Sequence, residues 1–161
     1  MFVDMHAQFT RPADVTAYAA NDLVANSTTA GSVVPLTFSL APMRGASFGM
    51  VVGADLQKST ATVTAATFVL HLFDRLKTLT NGDNGALVVN NYDGYVASIP
   101  IDLSTGAISI AGGPLIKHNT AGAIESAFEA SGGSLYGYLQ VTGAYAPGSA
   151  EVFNVHLHIE V

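Results

Sequence analysis

The sequence predicts an all-β protein, an antiparallel β-sandwich or jelly roll with at most one short helix. Three observations predict it. From Asn154 onward the alternation is strict: Val155, Leu157, Ile159 and Val161 point one way, and Asn154, His156, His158 and Glu160 the other. A period of two marks a half-buried strand and excludes an amphipathic helix. Strand-sized apolar runs follow one another closely, separated by turn signals such as Asn81-Gly-Asp-Asn-Gly85, Asp93-Gly94, Ser104-Thr-Gly106, Gly112-Gly-Pro114 and Pro147-Gly148. No strand–helix–strand alternation appears, so a parallel α/β fold is excluded.

The elements follow in order. Residues 1–30, with their Asp22-to-Gly31 loop, are expected to form an N-terminal arm plus first strand that lies on a neighbour. Residues 31–161 are expected to be a single sandwich domain, since the chain is long enough to bury a core without staples. Val33–Leu40 is a short strand with Pro35 near its start, where a missing donor is tolerated. Ser47–Leu56 follows, with Gly49 and Gly53 marking bulges. Ala65–Phe73 holds the most apolar run, Phe68-Val-Leu-His-Leu-Phe73, as expected of a sheet centre. Ala86–Val89, Tyr95–Ile101, Ala107–Ile110, Leu115–Lys117 and Leu135–Gly143 are further strands before the terminal one. Between 120 and 130, Ile124 and Phe128 lie four apart in alanine-rich surroundings ahead of Gly132-Gly133, which predicts a short helix. The chain stops at Val161, so the last strand is expected to tie the C-terminus into the sheet.

Composition narrows the function classes. There is no cysteine, hence no disulfide framework and no thiolate metal site. Charged residues make up 11%, against about 25% in an ordinary domain. Such a bland surface fits a protein covered by others in an assembly. A net charge of -6 with six scattered Lys and Arg argues against nucleic acid, whose affinity rests on clustered cations. The acidic Met-Phe-Val-Asp opening is no signal peptide, and no apolar run is long enough for a membrane helix. The protein is therefore expected to be made in a cytoplasm, with no membrane partner.

The inventory of reactive groups is short. His156 and His158 share one strand face and are the candidates for a metal, but two ligands do not make a site. A solvated outer face on an edge strand explains them better. His71, on the second face of its apolar strand, is expected to be packed and hydrogen-bonded. The aspartates sit at turns and strand ends, where Asx hydrogen bonding accounts for them. Asn81-Gly-Asp-Asn-Gly85 lacks the alternating oxygen ligands of a calcium loop. No Gly-x-Ser-x-Gly elbow, P-loop or Gly-x-Gly-x-x-Gly occurs. The expectation is therefore no enzyme, no catalytic residue, no cofactor and no metal. Tyr92, Tyr95, Tyr136 and Tyr138, with Asp83 and Asn84, provide the alternative of a carbohydrate-binding module; cross-strand tyrosine pairing is the competing reading. A cupin-like metalloenzyme would take its histidines from an earlier strand.

Thr10-Arg-Pro-Ala-Asp-Val-Thr-Ala-Tyr-Ala-Ala-Asn-Asp-Leu-Val24 resembles the opening of a family of small proteins encoded in structural gene clusters of tailed bacteriophages. The likeness continues through Phe68–Phe73, Gly82-Asp-Asn-Gly-Ala-Leu87 and Tyr95-Val-Ala-Ser-Ile-Pro-Ile101, over roughly residues 10–103. The Arg-Pro-Ala-Asp opening is its most specific part. The resemblance implies a virion structural protein similar to jelly-roll capsid decoration (cement) proteins. These bind the assembled head, often as homotrimers, and bridge neighbouring capsomers. It implies the phage major capsid protein as partner and the virion as location; a tail, baseplate or head-fibre component is the alternative. Arg11, Asp14, Tyr18 and Arg44 are the candidate partner-interface residues, because arginine and tyrosine are favoured at interfaces.

Overall fold

The computed structural model describes residues 2–40, 48–109, 115–119 (backbone), 126–130 and 132–161. Two antiparallel sheets pack face to face. The strands are β1 (Phe2–Thr10), β2 (Leu23–Val24), β3 (Leu36–Ser39), β4 (Phe48–Lys58), β5 (Thr67–Phe73), β6 (Tyr95–Asp102), β7 (Ile108–Ser109), β8 (Leu115–Asn119), β9 (Ser126–Glu129), β10 (Ser134–Val141) and β11 (Val152–Glu160). Among the described residues one 3-10 turn, Ala30–Ser32, interrupts them. The larger sheet runs β1-β11-β4-β8-β7, with β9 also paired to β4; the smaller runs β2-β10-β5-β6, with β3 beside β2 on β10. The expected all-β sandwich is the observed architecture.

Alternation builds the core. In β11 Phe153, Val155, Leu157 and Ile159 are fully buried, while Asn154, His156 and His158 are half-exposed on the other side. Leu56 and Ala54 of β4 and Met5 of β1 share that inner face. Across the gap lie Phe68, Leu70 and Leu72 of β5, Ile99 and Ile101 of β6, and Leu135, Leu139 and Val141 of β10. A second, smaller cluster on the outside of the smaller sheet joins Phe73 and Tyr138 to Leu23 and Ala25. Its lid includes Leu79, Leu87 and Val89, from the excursion between β5 and β6.

Several expectations need correction. Within the expected arm plus first strand, residues 2–10 form a nine-residue strand of the chain's own larger sheet, paired with β11 from Phe2↔Glu160 to Thr10↔Val152. The histidine-bearing terminal strand is not at an edge, because β1 and β4 flank it. Ser126–Glu129, expected to be helical, pairs as β9 with Phe48–Val51 of β4; cross-strand pairing overrides alanine's helix preference. The rest of that expected helix, 120–125, lies outside the described residues. Residues 86–89 contribute only the isolated bridges Asp22↔Ala86 and Leu79↔Val89. The bulge read from Gly53 is present, since β4 slips by one residue where His158 and Ile159 face Gly53 and Val51.

Candidate functional site

Three features stand out, and all converge on the first and last strands. The outer face of the larger sheet carries the first. The register places His6 of β1 beside His156 of β11 and Asp55 of β4, with Asp4 beside His158 one step along. The His6 and His156 rings lie 5.4 Å apart. His156 Nδ1 is 3.2 Å from Asp4 Oδ2, and His158 Nε2 is 3.3 Å from Asp55 Oδ2. This cluster supplies the acidic neighbours that spacing on a single strand cannot reveal. Even so, no group of three His, Asp or Glu side chains among the described residues is arranged to hold a metal ion. The His156–Asp4 contact is open to solvent and so contributes little, whereas the His158–Asp55 contact is more enclosed.

The second feature lies at one end of the sandwich. Arg11 follows β1, and its side chain is fully buried. Its Nε donates to the Tyr18 hydroxyl (2.9 Å), and its Nη2 donates to Asp83 Oδ2 and Asp14 Oδ1 (3.1 Å each). Its Nη1 reaches the carbonyls of Asp14 and Gly148. Tyr18 in turn donates to Asp83 Oδ1 at 2.6 Å, which also accepts the Ala25 N–H at 2.8 Å. The Tyr18 ring stacks on Tyr145, 6.3 Å away and 11° from parallel.

Tyr145 leads to a second buried pair. Its hydroxyl donates to Glu151 Oε2 at 2.6 Å. Glu151 meets Lys58 Nζ at 3.1 Å, and both side chains are fully buried. Lys58 occupies an inward-facing position of β4, where its ammonium also donates to the carbonyl and hydroxyl of Thr60. The Thr60 hydroxyl makes a short hydrogen bond to the Glu151 carboxylate.

Environment sets the protonation of this network. Burial alone would weaken the charge on Arg11, but its hydrogen bond with Tyr18 and the carboxylates of Asp14 and Asp83 hold the guanidinium above its ordinary value. Burial, reinforced by the carboxylate each one bonds, pushes the Tyr18 and Tyr145 hydroxyls well up. Burial lowers Lys58 despite the opposing pull of Glu151. A backbone N–H from Thr16, followed by Arg11, lowers Asp14. These mostly buried side chains tie the 11–18 segment to the 80s loop and to the 143–151 loop.

The interface expectation is corrected accordingly. Arg11 and Tyr18 are both 2% exposed and spend their polar groups internally, so neither can anchor a partner. Asp14 remains at the surface but is bound to Arg11. Arg44 lies outside the described residues. Asp83 and Tyr138, invoked for carbohydrate binding, are buried as well. Tyr95 lines an open cleft with Asp74, Arg75 and Glu129, and Tyr136 lines a neighbouring one with Leu76. His71 is hydrogen-bonded as expected, its Nε2 lying 3.0 Å from Gln140 Oε1.

The third feature is the outer edge of β1, which sequence reading missed. β1 pairs only with β11 among the described strands. Its side chains alternate, with Phe2, Asp4, His6, Gln8 and Thr10 exposed and Met5 buried between half-buried Val3, Ala7 and Phe9. The register runs without a bulge, and the strand carries neither Lys nor Pro. Natural sheets normally protect an open edge with just those devices. No protein-family model, curated protein or solved structure matches this chain.

Proposed function

We propose that this protein is a structural component of a tailed-phage virion, a capsid decoration protein that binds the assembled head and bridges neighbouring capsomers. The observation that carries this reading is the open edge of β1. A rigid sandwich that offers a long, unprotected strand edge is built to join another chain by strand addition, with main-chain hydrogen bonds supplying affinity. The Arg11–Asp83 and Lys58–Glu151 pairs support it by fixing in place the end of the β1–β11 unit where Arg11 faces Glu151. A protein that binds only the assembled shell stabilises that shell by mass action, without any catalytic group. The sequence resemblance supplies the phage context, the jelly-roll wiring and the major capsid protein as partner.

Cryo-EM of the source particle tests the proposal. Density for this sandwich on the head, at a copy number on the order of hundreds, supports it. A small symmetric ring of copies at the tail would refute the head assignment. The carbohydrate-binding reading retains Tyr95 and the Asp74–Arg75 cleft but has lost Asp83 and Tyr138 to the interior.

A further inference from the structure

We infer that the strand completing the open edge of β1 is β1 of a second copy, antiparallel and two-fold, with His6 facing His6. The inference rests on reading β1 as an assembly edge and names the occupant of that edge.

Hydrogen-bond direction comes first. The Arg11 N–H donates to the Glu151 carbonyl at 3.0 Å, so these two form a bonded pair at the end of the β1–β11 ladder. In an antiparallel ladder bonded pairs recur at every second residue. Phe9, Ala7, Met5 and Val3 therefore aim their N–H and C=O groups at β11. The far side of β11 agrees: the Ser59 N–H donates to the Val152 carbonyl, which assigns the even residues of β11 to β4. Phe2, Asp4, His6, Gln8 and Thr10 consequently direct their backbone groups outward, away from the sheet.

Self-complementarity comes second. A two-fold register centred on His6 sets Phe2 opposite Thr10, Asp4 opposite Gln8, and His6 opposite itself. Every one of these residues belongs to the outward set, so each N–H and C=O finds a partner over the whole strand. On the inner face the same register sets Val3 opposite Phe9 and Met5 opposite Ala7, larger against smaller and apolar against apolar. Val3, Ala7 and Phe9, only half-buried now, become covered. The sole charge on the strand, Asp4, faces an amide rather than another carboxylate. A register slipped by one residue sets outward groups against inward ones and leaves them unpaired. Fusing the two larger sheets in this way makes one rigid body with two equivalent outer surfaces, which is what a bridge between two capsomers requires. It replaces the homotrimer implied by resemblance with an even-numbered unit, because an isologous edge pairs only with itself.

The test uses the full chain, which has no cysteine of its own. Sedimentation of the purified protein is expected to give a dimer; a monomer at about 100 µM, or a trimer, would overturn the proposal. His6→Pro removes an outward N–H and spares the β1–β11 ladder. It is expected to weaken the dimer roughly 10- to 100-fold with the thermal midpoint of the fold retained. Ala7→Pro removes an inward N–H and should unfold the strand instead.

Register is read separately in folded protein with a short bifunctional thiol reagent. His6→Cys should cross-link to itself. Asp4→Cys and Gln8→Cys should cross-link only when mixed, because two copies of position 4 lie about 13 Å apart along the strand. Any other pattern overturns the register. Dimers that ignore phage heads would refute the decoration reading and leave the pair standing. Single, unpaired copies seen on heads would refute the pair and leave the decoration reading standing.

Discussion

Replacing Asp83 by alanine tests whether the buried network holds the sandwich end together. The Asp83 carboxylate accepts from Arg11 Nη2, the Tyr18 hydroxyl and the Ala25 N–H at 3.1, 2.6 and 2.8 Å, and neither charged side chain of the pair sees solvent. Truncation leaves a buried guanidinium whose remaining partners are the Tyr18 hydroxyl, Asp14 and the Gly148 carbonyl. It also orphans a buried N–H and removes the acceptor of a buried hydroxyl. Breaking a buried pair from one side costs about 3–5 kcal/mol, a large share of the roughly 5–15 kcal/mol by which a domain is stable. Arg11→Ala should cost a similar amount. The double variant should fall short of the sum by about 2–3 kcal/mol, because neither partner is left charged and alone. Urea denaturation of all four proteins measures the cycle. A loss below about 1 kcal/mol for Asp83→Ala, or additivity within about 0.5 kcal/mol, would refute the reasoning.

Other outcomes follow from the same structure. Gly82→Ala should destabilise by about 1–3 kcal/mol in the same denaturation assay, since a Cβ there would sit 2.3 Å from the Thr28 carbonyl backbone and 2.6 Å from the Ser27 oxygen. Leu157→Ala should cost about 2–5 kcal/mol and His156→Ala less than about 1 kcal/mol; equal losses would contradict the alternation of β11. At high pH the raised Tyr18, Tyr145 and Tyr138 hydroxyls keep their protons in the fold but lose them near pH 10 when unfolded. Their contribution is complete below about pH 10 and is lost as pH rises toward the folded values. The lowered Lys58 acts oppositely, adding stability as pH rises in the window just below its ordinary 10.5. Tyrosinate absorbance should show these three of the six tyrosines ionising only with unfolding. Reversible ionisation of all six near pH 10 in folded protein would contradict it.

Local patterning made the sandwich legible. Strands β4, β5, β6, β10 and β11 appear within a few residues of where alternation, apolar runs and turn signals put them. The same alternation runs through Val3, Met5, Ala7 and Phe9, yet weak strand formers at Ala7 and Gln8 mask it. β9 was obscured by alanine, whose helix preference only a long-range pairing with β4 overrides. The site was less legible, because burial of charge is a tertiary fact. Nothing local says that Lys58 faces inward or that Asp83 leaves its turn to meet Arg11 across more than seventy residues. Nor can spacing show His6 and Asp4 beside His156, since the register joins opposite ends of the chain.

That join has a kinetic side. β1 leaves the ribosome well before its partner, residues 152–160. At a synthesis rate of about 5–20 residues per second, β1 waits on the order of 10 to 30 s with both edges open. Pairing of such distant segments also folds slowly even after release. In crowded synthesis, β1 of one nascent chain can capture β11 of another, giving strand-exchanged oligomers with native-like sheets. Yield of correctly self-paired protein should therefore rise with slower expression and lower temperature, and fall as nascent chains become concentrated.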